Sequence, residues 1–461
     1  MGVGVSNWVL ARAVSIAGQL GVVSGTALDI VLTRRLQSGD PDGHVRRAFD
    51  HFPFPDIARR VWEQYFVEGG IPKGQPFKAV PMMTAAPHQS ILELHTLANF
   101  VEVFLAKAGH AGAVGINFLE KIQMPTLSCI FGAMLAGVDS ILMGAGIPRA
   151  IPGVLDLFSK GEPAKLKLDV LGATPEQEYS VSFDPKTFCG GEAPALKRPN
   201  FLAIISSATL ALTLARKSTG KVDGFIVEGE TAGGHNAPPR GIMQLSEKGE
   251  PIYGARDIPD LKKIAEIGLP FWLAGSYGAP GKLAEAIQLG AVGVQVGTAF
   301  AFCEESGVAP EIKTQVIESA LAGNLCVTTD PLASPTGFPF KVLNVEGSVS
   351  CQAVYTNRVR VCDLGYLRHP YRKEDGTLGY RCPAEVVSNY VRKGGHENDV
   401  NGRKCVCNGL FATIGLGQTL PGGKIEPPLL TAGDDVVNLK RFLKPGAKTY
   451  TAQDVLDALL A

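Results

Sequence analysis

Val227-Glu-Gly-Glu-Thr-Ala-Gly-Gly-His-Asn-Ala-Pro-Pro-Arg240 follows directly on the apolar residues Gly224-Phe-Ile. Residues 222–227 read as a buried strand, and Gly229, Gly233 and Gly234 leave room for a flat ligand to lie against the backbone of the loop that follows. In parallel α/β folds chemistry sits on the loops after the carboxyl ends of strands. His235 is therefore read as the catalytic residue, facing that ligand. The competing reading is an imidazole that caps a strand or bonds a backbone carbonyl.

The same alternation of strand and helix runs outward from this loop in both directions. Towards the N-terminus, Ser6 or Asn7 caps a helix whose Leu10, Ala13, Val14 and Ala17 recur at helical spacing, and Gly18 and Gly21 stop it before a short strand. Residues 1–5 supply at most the end of a preceding strand. Further strands are expected at 113–119, with Asn117 near its polar end, and at 140–144, 166–171 and 201–205, with helices at 127–136 and 209–217. After the histidine loop come a helix at 258–267, a strand at 270–274, a helix at 281–289 and a strand at 291–296. About eight such repeats predict an α/β fold of the TIM (β/α)8 barrel type, although an open doubly wound sheet has the same alternation. The barrel is assigned to residues 1–330, with an insertion at about 40–78 that carries a helix near 57–66. Residues 331–461, where the alternation stops, form a C-terminal cysteine-containing extension closed by a helix at 452–460.

Composition narrows the function. Lys plus Arg and Asp plus Glu both total 44 in 461 residues, so no net field draws the chain to nucleic acid or to an anionic membrane. The apolar run 8–32 is broken by Arg12 and Asp29 and reads neither as a spanning helix nor as a signal peptide. Nine cysteines without a secretory signal argue for reduced thiols and a cytoplasmic protein. A small-molecule substrate is the expected partner.

Two glycine-rich loops point to a phosphate. Ala274-Gly-Ser-Tyr-Gly-Ala-Pro-Gly281 follows one predicted strand and Gln295-Val-Gly-Thr-Ala-Phe300 follows the next. Such loops expose backbone N–H groups at a helix start, and barrels commonly build a phosphate site from their last two strand-to-helix loops. Neither is a Walker sequence, so phosphoryl transfer is not indicated.

Together these residues resemble the nitronate monooxygenase (2-nitropropane dioxygenase) family, which includes flavin-dependent enoyl reductases. The resemblance spans roughly residues 1–329. It rests on Gly4-Val-Ser with Ala13-Val-Ser-Ile-Ala-Gly18, the strand with Asn117, Glu230-Thr-Ala-Gly-Gly-His235, Ala274-Gly-Ser-Tyr-Gly278 and Gly293-Val-Gln-Val-Gly-Thr-Ala-Phe300. It implies a barrel holding non-covalent FMN, with Gly275, Ser276, Gly278, Gly297 and Thr298 around the phosphate and Gln295 beside them. It implies Val3, Gly4 and Asn117 near the ring or ribityl chain, and Gly233 and Gly234 letting the loop pass the ring. His235 matches the family's active-site histidine, a base for a neutral nitroalkane with an ordinary imidazole pKa. The implied reaction oxidises a nitronate or related carbanion with oxygen. The alternatives are an enoyl-thioester reductase using NAD(P)H and a non-catalytic flavin- or acyl-binding subunit. Asn236-Ala-Pro-Pro-Arg240 departs from the usual continuation after Gly-Gly-His, so the substrate-facing wall differs.

The extension adds two expectations. Cys405-Val-Cys407, read as extended, puts two sulfurs on one face, and with Cys362 and Cys382 makes four thiolate ligands for zinc or an iron–sulfur cluster. The alternative is a set of reduced thiols in a β-rich tail. Lys341, Arg358, Arg360, Arg368 and Arg372 are candidates to contact acyl-CoA or an acyl carrier protein, with scattered surface cations as the alternative.

Overall fold

The computed structural model describes residues 2–461. Seven parallel strands form its central sheet: β1 (Gly21–Ser24), β2 (Val114–Leu119), β3 (Ser140–Gly144), and, after a hairpin of β4 (Ala164–Lys167) and β5 (Ser180–Phe183), β6 (Asn200–Ile205), β7 (Gly224–Glu228), β8 (Phe271–Ala274) and β9 (Gly293–Gln295). Their order in space is β1-β2-β3-β6-β7-β8-β9, and every neighbouring pair is parallel. A doubly wound sheet reverses its strand order part-way. This one never does, which is the order of a barrel wall laid strand by strand.

The strands are apolar on both faces because both are covered. Ile141, Met143, Phe225, Val227, Phe271 and Leu273 join the main core beneath the outer helices. The alternate residues Leu142, Leu202, Ile226 and Ala274, with Val22, Ile204 and Trp272, fill the inner side. A side-chain period of two sorts them.

The sheet corrects the expected eight-stranded barrel: it has seven strands, with β1 and β9 at its edges. Residues 2–5 turn instead of extending, since Val5 N–H donates to the Gly2 carbonyl at 3.2 Å and Gly4 sits at φ +62°. Only Ser6 reaches β1, accepting the Ser24 N–H on its carbonyl at 2.8 Å and donating its hydroxyl to the Val22 carbonyl at 2.5 Å. The strand expected at 166–171 is also corrected: β4 pairs antiparallel with β5 away from the sheet.

Asn7 caps the helix Trp8–Ile16, its side chain accepting Leu10 N–H at 3.0 Å. Inside the expected insertion the helix is Pro55–Tyr65, opened by proline at its first position. The longest helix, Gln89–Lys107, was not foreseen. It is buried on nearly all sides because other helices surround it, and its buried residues include Glu93, His95, Asn99 and Glu102, so no clean amphipathic stripe marks it in the sequence.

Beyond residue 330 the chain packs into the same two cores. Phe340, Leu364, Leu367, Val406 and Phe411 belong to the main one, while Leu430, Phe442, Tyr450 and Val455 join Leu10, Phe302 and Val316 in the second. The strands here are β10 (Cys326–Asp330) with β11 (Phe340–Asn344), and β12 (His369–Arg372) with β13 (Leu378–Arg381), both pairs antiparallel. The last helix is Ala452–Leu460, as its capping box of Thr451 and Asp454 directs. Cys405-Val-Cys407 is not extended: Cys405 caps the helix Val406–Thr413 and Cys407 lies in its first turn. Among the described residues no helix is long and apolar enough to cross a membrane.

Candidate active site

A cavity of about 580 Å³ opens over the inner side chains of the sheet, a volume ordinary for a cofactor or small ligand. The loop after β7 brings Gly233, Gly234 and His235 to it. The loops after β8 and β9 bring Gly275, Ser276, Gly278, Gln295, Gly297 and Thr298, and Val3 and Asn117 complete the set. Gly4 stays outside. A Cβ there would lie 2.6 Å from Ile414 Cδ1, so its part is close packing against the helix Val406–Thr413.

The phosphate end is built from backbone. Ser276 takes the left-handed conformation at φ +58°, unusual for a residue with a side chain, and Gly275 beside it has φ +99°. The N–H groups of Ser276, Tyr277, Gly278, Gly297 and Thr298 have no protein acceptor among the described residues. Converging unpaired N–H groups make an anion-binding concavity. A strap from the C-terminal region crosses it: Gly433 N–H donates to Thr298 Oγ1 at 2.8 Å, and Asp435 Oδ2 stands 3.1 Å from where a Cβ on Gly278 would be. That carboxylate opposes a phosphate, and its ion pair with Arg441 offsets the charge.

His235 reaches the cavity from a tethered position. Its Nε2 hydrogen-bonds Ser334 Oγ at 2.6 Å, and its ring packs edge-on against Phe340 at 4.8 Å between centroids. Burial pushes its pKa down to about 4, correcting the expected ordinary imidazole value. The ring is neutral at pH 7. Sequence reading passed over Glu228, the last residue of β7, which lines the same cavity. Burial drives its carboxyl up to about 7. The signal lay in the sequence as an ionisable residue ending a buried central strand, a position that favours function.

A second cavity of about 410 Å³ adjoins the first and shares Ile122, Tyr366 and Leu367 with it. At that boundary the Tyr366 hydroxyl donates to Asp29, whose other oxygen is 3.3 Å from His95 Nε2. None of these three was singled out from the sequence.

The cations read as carrier contacts are largely engaged inside the protein. Arg358 pairs with buried Glu426, Lys341 with Asp434 at 2.6 Å, Arg360 bonds the Val400 carbonyl at 3.1 Å and Arg368 the Met83 carbonyl at 2.8 Å. These four thus have internal partners, and Arg368 also lines the 410 Å³ cavity. Cys362, Cys382, Cys405 and Cys407 all line one small cavity beside the large one.

Residues 158–333 match the family model for nitronate monooxygenase. The (3aS,4S,5R,7aS)-5-hydroxy-7a-methyl-1-oxo-octahydro-1H-indene-4-carboxyl-CoA dehydrogenase of Mycobacterium tuberculosis is 28% identical over 145 residues, which are 31% of this chain and 36% of that protein. A probable nitronate monooxygenase of Staphylococcus haemolyticus is 32% identical over 126 residues, 27% of this chain and 33% of that protein. The chain thus spans about a third of the length of these curated relatives. Among solved structures, FabK from Thermotoga maritima aligns with a TM-score of 0.46 at 14% identity over 99% of this chain and 88% of that one. Nitroalkane oxidase from Streptomyces ansochromogenes aligns with a TM-score of 0.42 at 17% identity, covering 100% and 92%.

Proposed function

We propose, for a chain whose residues 158–333 match the nitronate monooxygenase model, a flavin-dependent oxidoreductase that holds FMN in the 580 Å³ cavity and oxidises a nitronate or related carbanion with oxygen as acceptor. One observation carries this reading: Glu228, His235 and the two loops of unpaired N–H groups open into the same cavity. The fit to a phosphorylated flavin rests on those free donors and on Gly297, where a Cβ would meet nothing within 4 Å.

When bound, the flavin supplies the electron-pair acceptor that no side chain provides. The residues divide the remaining work. Ser276, Gly278, Gly297 and Thr298 offer N–H groups to the phosphate, while Gly233 and Gly234 carry the loop close to a flat ring without side chains in the way. Leu142, Leu202, Ile226 and Trp272 floor the cavity with apolar surface and exclude water beneath the ring. Glu228, near 7, takes the proton of a neutral nitroalkane, because a base works best when its pKa lies near the operating pH. His235 stays neutral and presents its ring to substrate as a hydrogen-bonding group. Anaerobic mixing of purified protein with propyl-2-nitronate tests this. Rapid bleaching of the flavin bands is expected, and unchanged bands contradict the reaction.

The second cavity favours one alternative. Adjoining space of about 410 Å³ suits the chain of an acyl-CoA or acyl-carrier substrate, as in an enoyl reductase using NAD(P)H. Bleaching by NAD(P)H alone supports that reading. A non-catalytic flavin- or acyl-binding subunit requires His235→Ala and Glu228→Gln to leave biological activity intact.

A further inference from the structure

Cys362, Cys382, Cys405 and Cys407 share a cavity of only about 10 Å³, and among the described residues no group of three or more Cys, His, Asp or Glu is arranged to hold a metal ion, which corrects the expected zinc or iron–sulfur site. The adjoining 410 Å³ cavity is different: it has an unmatched charge on an otherwise apolar wall. Met82, Met83, Met124, Leu168 and Val170 line it, and methionine side chains adapt to occupants of differing shape. Arg368 lines it as well. Its Nε donates to the Gly365 carbonyl at 3.1 Å and its Nη2 to the Met83 carbonyl at 2.8 Å, while Nη1 has no acceptor among the described residues. Those carbonyls, and the Tyr380 ring 5.1 Å from the guanidinium carbon, leave the net charge uncancelled. The neighbouring carboxylates are taken: Glu385 pairs with Lys393 at 2.6 Å, and Asp29 holds Tyr366 and His95. Asp169, also on the wall, is exposed, where water screens it. Burial lowers the pKa of Arg368, as it does for any cation short of a counter-charge.

The field around this wall has one sign. Lys121 lines the same cavity, and with Arg381 and Arg403 it surrounds His369, another lining residue. None of these three cations forms an ion pair among the described residues: Lys121 lies 5.5 Å from the centre of the Phe338 ring, Arg381 bonds the Lys393 carbonyl at 2.8 Å, and Arg403 bonds the Ser334 carbonyl at 2.6 Å. A partly buried cation facing apolar space is stabilised by an anion that arrives with apolar surface of its own. We infer that the 410 Å³ cavity binds an aliphatic carboxylate, its head on Arg368 Nη1 and its chain against the three methionines, Leu168 and Val170. One open guanidinium nitrogen suits a single carboxylate, not the several charges of a nucleotide carrier. The site is separate from the flavin reading, since none of these contact residues lines the 580 Å³ cavity.

The test titrates decanoate into the full chain by isothermal calorimetry, with FMN at saturating concentration. A single saturable site per chain is expected, with decan-1-ol bound about ten-fold more weakly because the charge-assisted bond is lost. Arg368→Gln should bring decanoate to the level of the alcohol. Should that variant fail to fold, Val170→Trp, which fills the cavity from the irregular segment after β4, should abolish binding of both probes. Absence of saturable binding overturns the proposal, as does decan-1-ol binding as tightly as decanoate. So does decanoate binding that FMN displaces, or that Val170→Trp leaves intact, since either places the ligand elsewhere. Displacement of decanoate by coenzyme A also overturns it, in favour of a carrier thioester. A chain that takes up no FMN refutes the flavin reading alone, and the titration without FMN still decides.

Discussion

His235 Nε2 and Ser334 Oγ lie 2.6 Å apart, joining the histidine loop to a residue 99 positions further on. Ser334 is fully buried and its hydroxyl also meets Thr336 Oγ1 at 2.8 Å, so the imidazole is held by a small fixed network. The segment that orients the ring therefore lies at and just beyond the end of the family match.

Ser334→Ala removes this tether and leaves a buried imidazole nitrogen without its partner. A loss of about 1–3 kcal/mol in stability is expected from an unsatisfied buried group, with a several-fold fall in kcat and little change in KM. Denaturant unfolding and steady-state kinetics check both. An unaltered kcat denies the ring a fixed orientation in the reaction.

The two acid–base groups act on stability in opposite senses. Glu228 titrates near 7 in the fold against 4.5 ordinarily, so the folded state keeps its proton longer and stability falls as pH rises from about 4.5 to about 7. His235 titrates near 4 against 6.5, so its contribution is lost as pH falls from about 6.5 to about 4. Where the windows overlap the slopes offset. Glu228→Gln removes one of them, and its Tm should climb with pH between about 4 and about 6.5 more steeply than that of the unaltered protein. The same substitution should erase an activity limb near pH 7. Parallel Tm profiles speak against a protonated buried Glu228.

Gly297 and Gly233 separate cofactor binding from folding. A Cβ on Gly297 meets open space, and its φ of −119° suits any residue, so Gly297→Leu should fold with near-normal Tm while retaining no flavin. A Cβ on Gly233 would lie 2.7 Å from the Gly433 nitrogen, backbone that cannot yield locally, so Gly233→Ala should lower Tm. Full flavin content in Gly297→Leu would place the cofactor elsewhere.

Asp435 puts a carboxylate beside the phosphate cradle. Asp435→Asn removes that charge and frees Arg441, so FMN should bind several-fold more tightly in a fluorescence titration, with a smaller gain for riboflavin, which has no phosphate. Equal gains for both would remove the phosphate from this end of the cavity.

The sequence carried the sheet and the loops well, for definite reasons. The parallel strands are short apolar runs, with glycine directly after β1, β7 and β8, and the residues at 233–235, 275–278 and 295–298 do meet at one cavity because parallel strands deliver their loops to one end. What was hidden depended on contacts distant in sequence. The helix Gln89–Lys107 is buried nearly all round and mixes Glu93, His95, Asn99 and Glu102 with its apolar residues, so periodicity could not mark it. The strap at Gly433–Asp435 over Thr298, the tether from Ser334 and the raised carboxyl of Glu228 arise from packing between residues far apart. Cys405-Val-Cys407 misled because apolar and cysteine alternation looks extended, whereas Cys405 caps a helix.

The most direct measurement of the central claim is the flavin content of the protein as purified, released by denaturation and identified by chromatography, in the unaltered chain and in Gly297→Leu. FMN near one equivalent is expected in the first and none in the second, with both folded. A folded chain that neither carries FMN nor takes it up when supplied would contradict it.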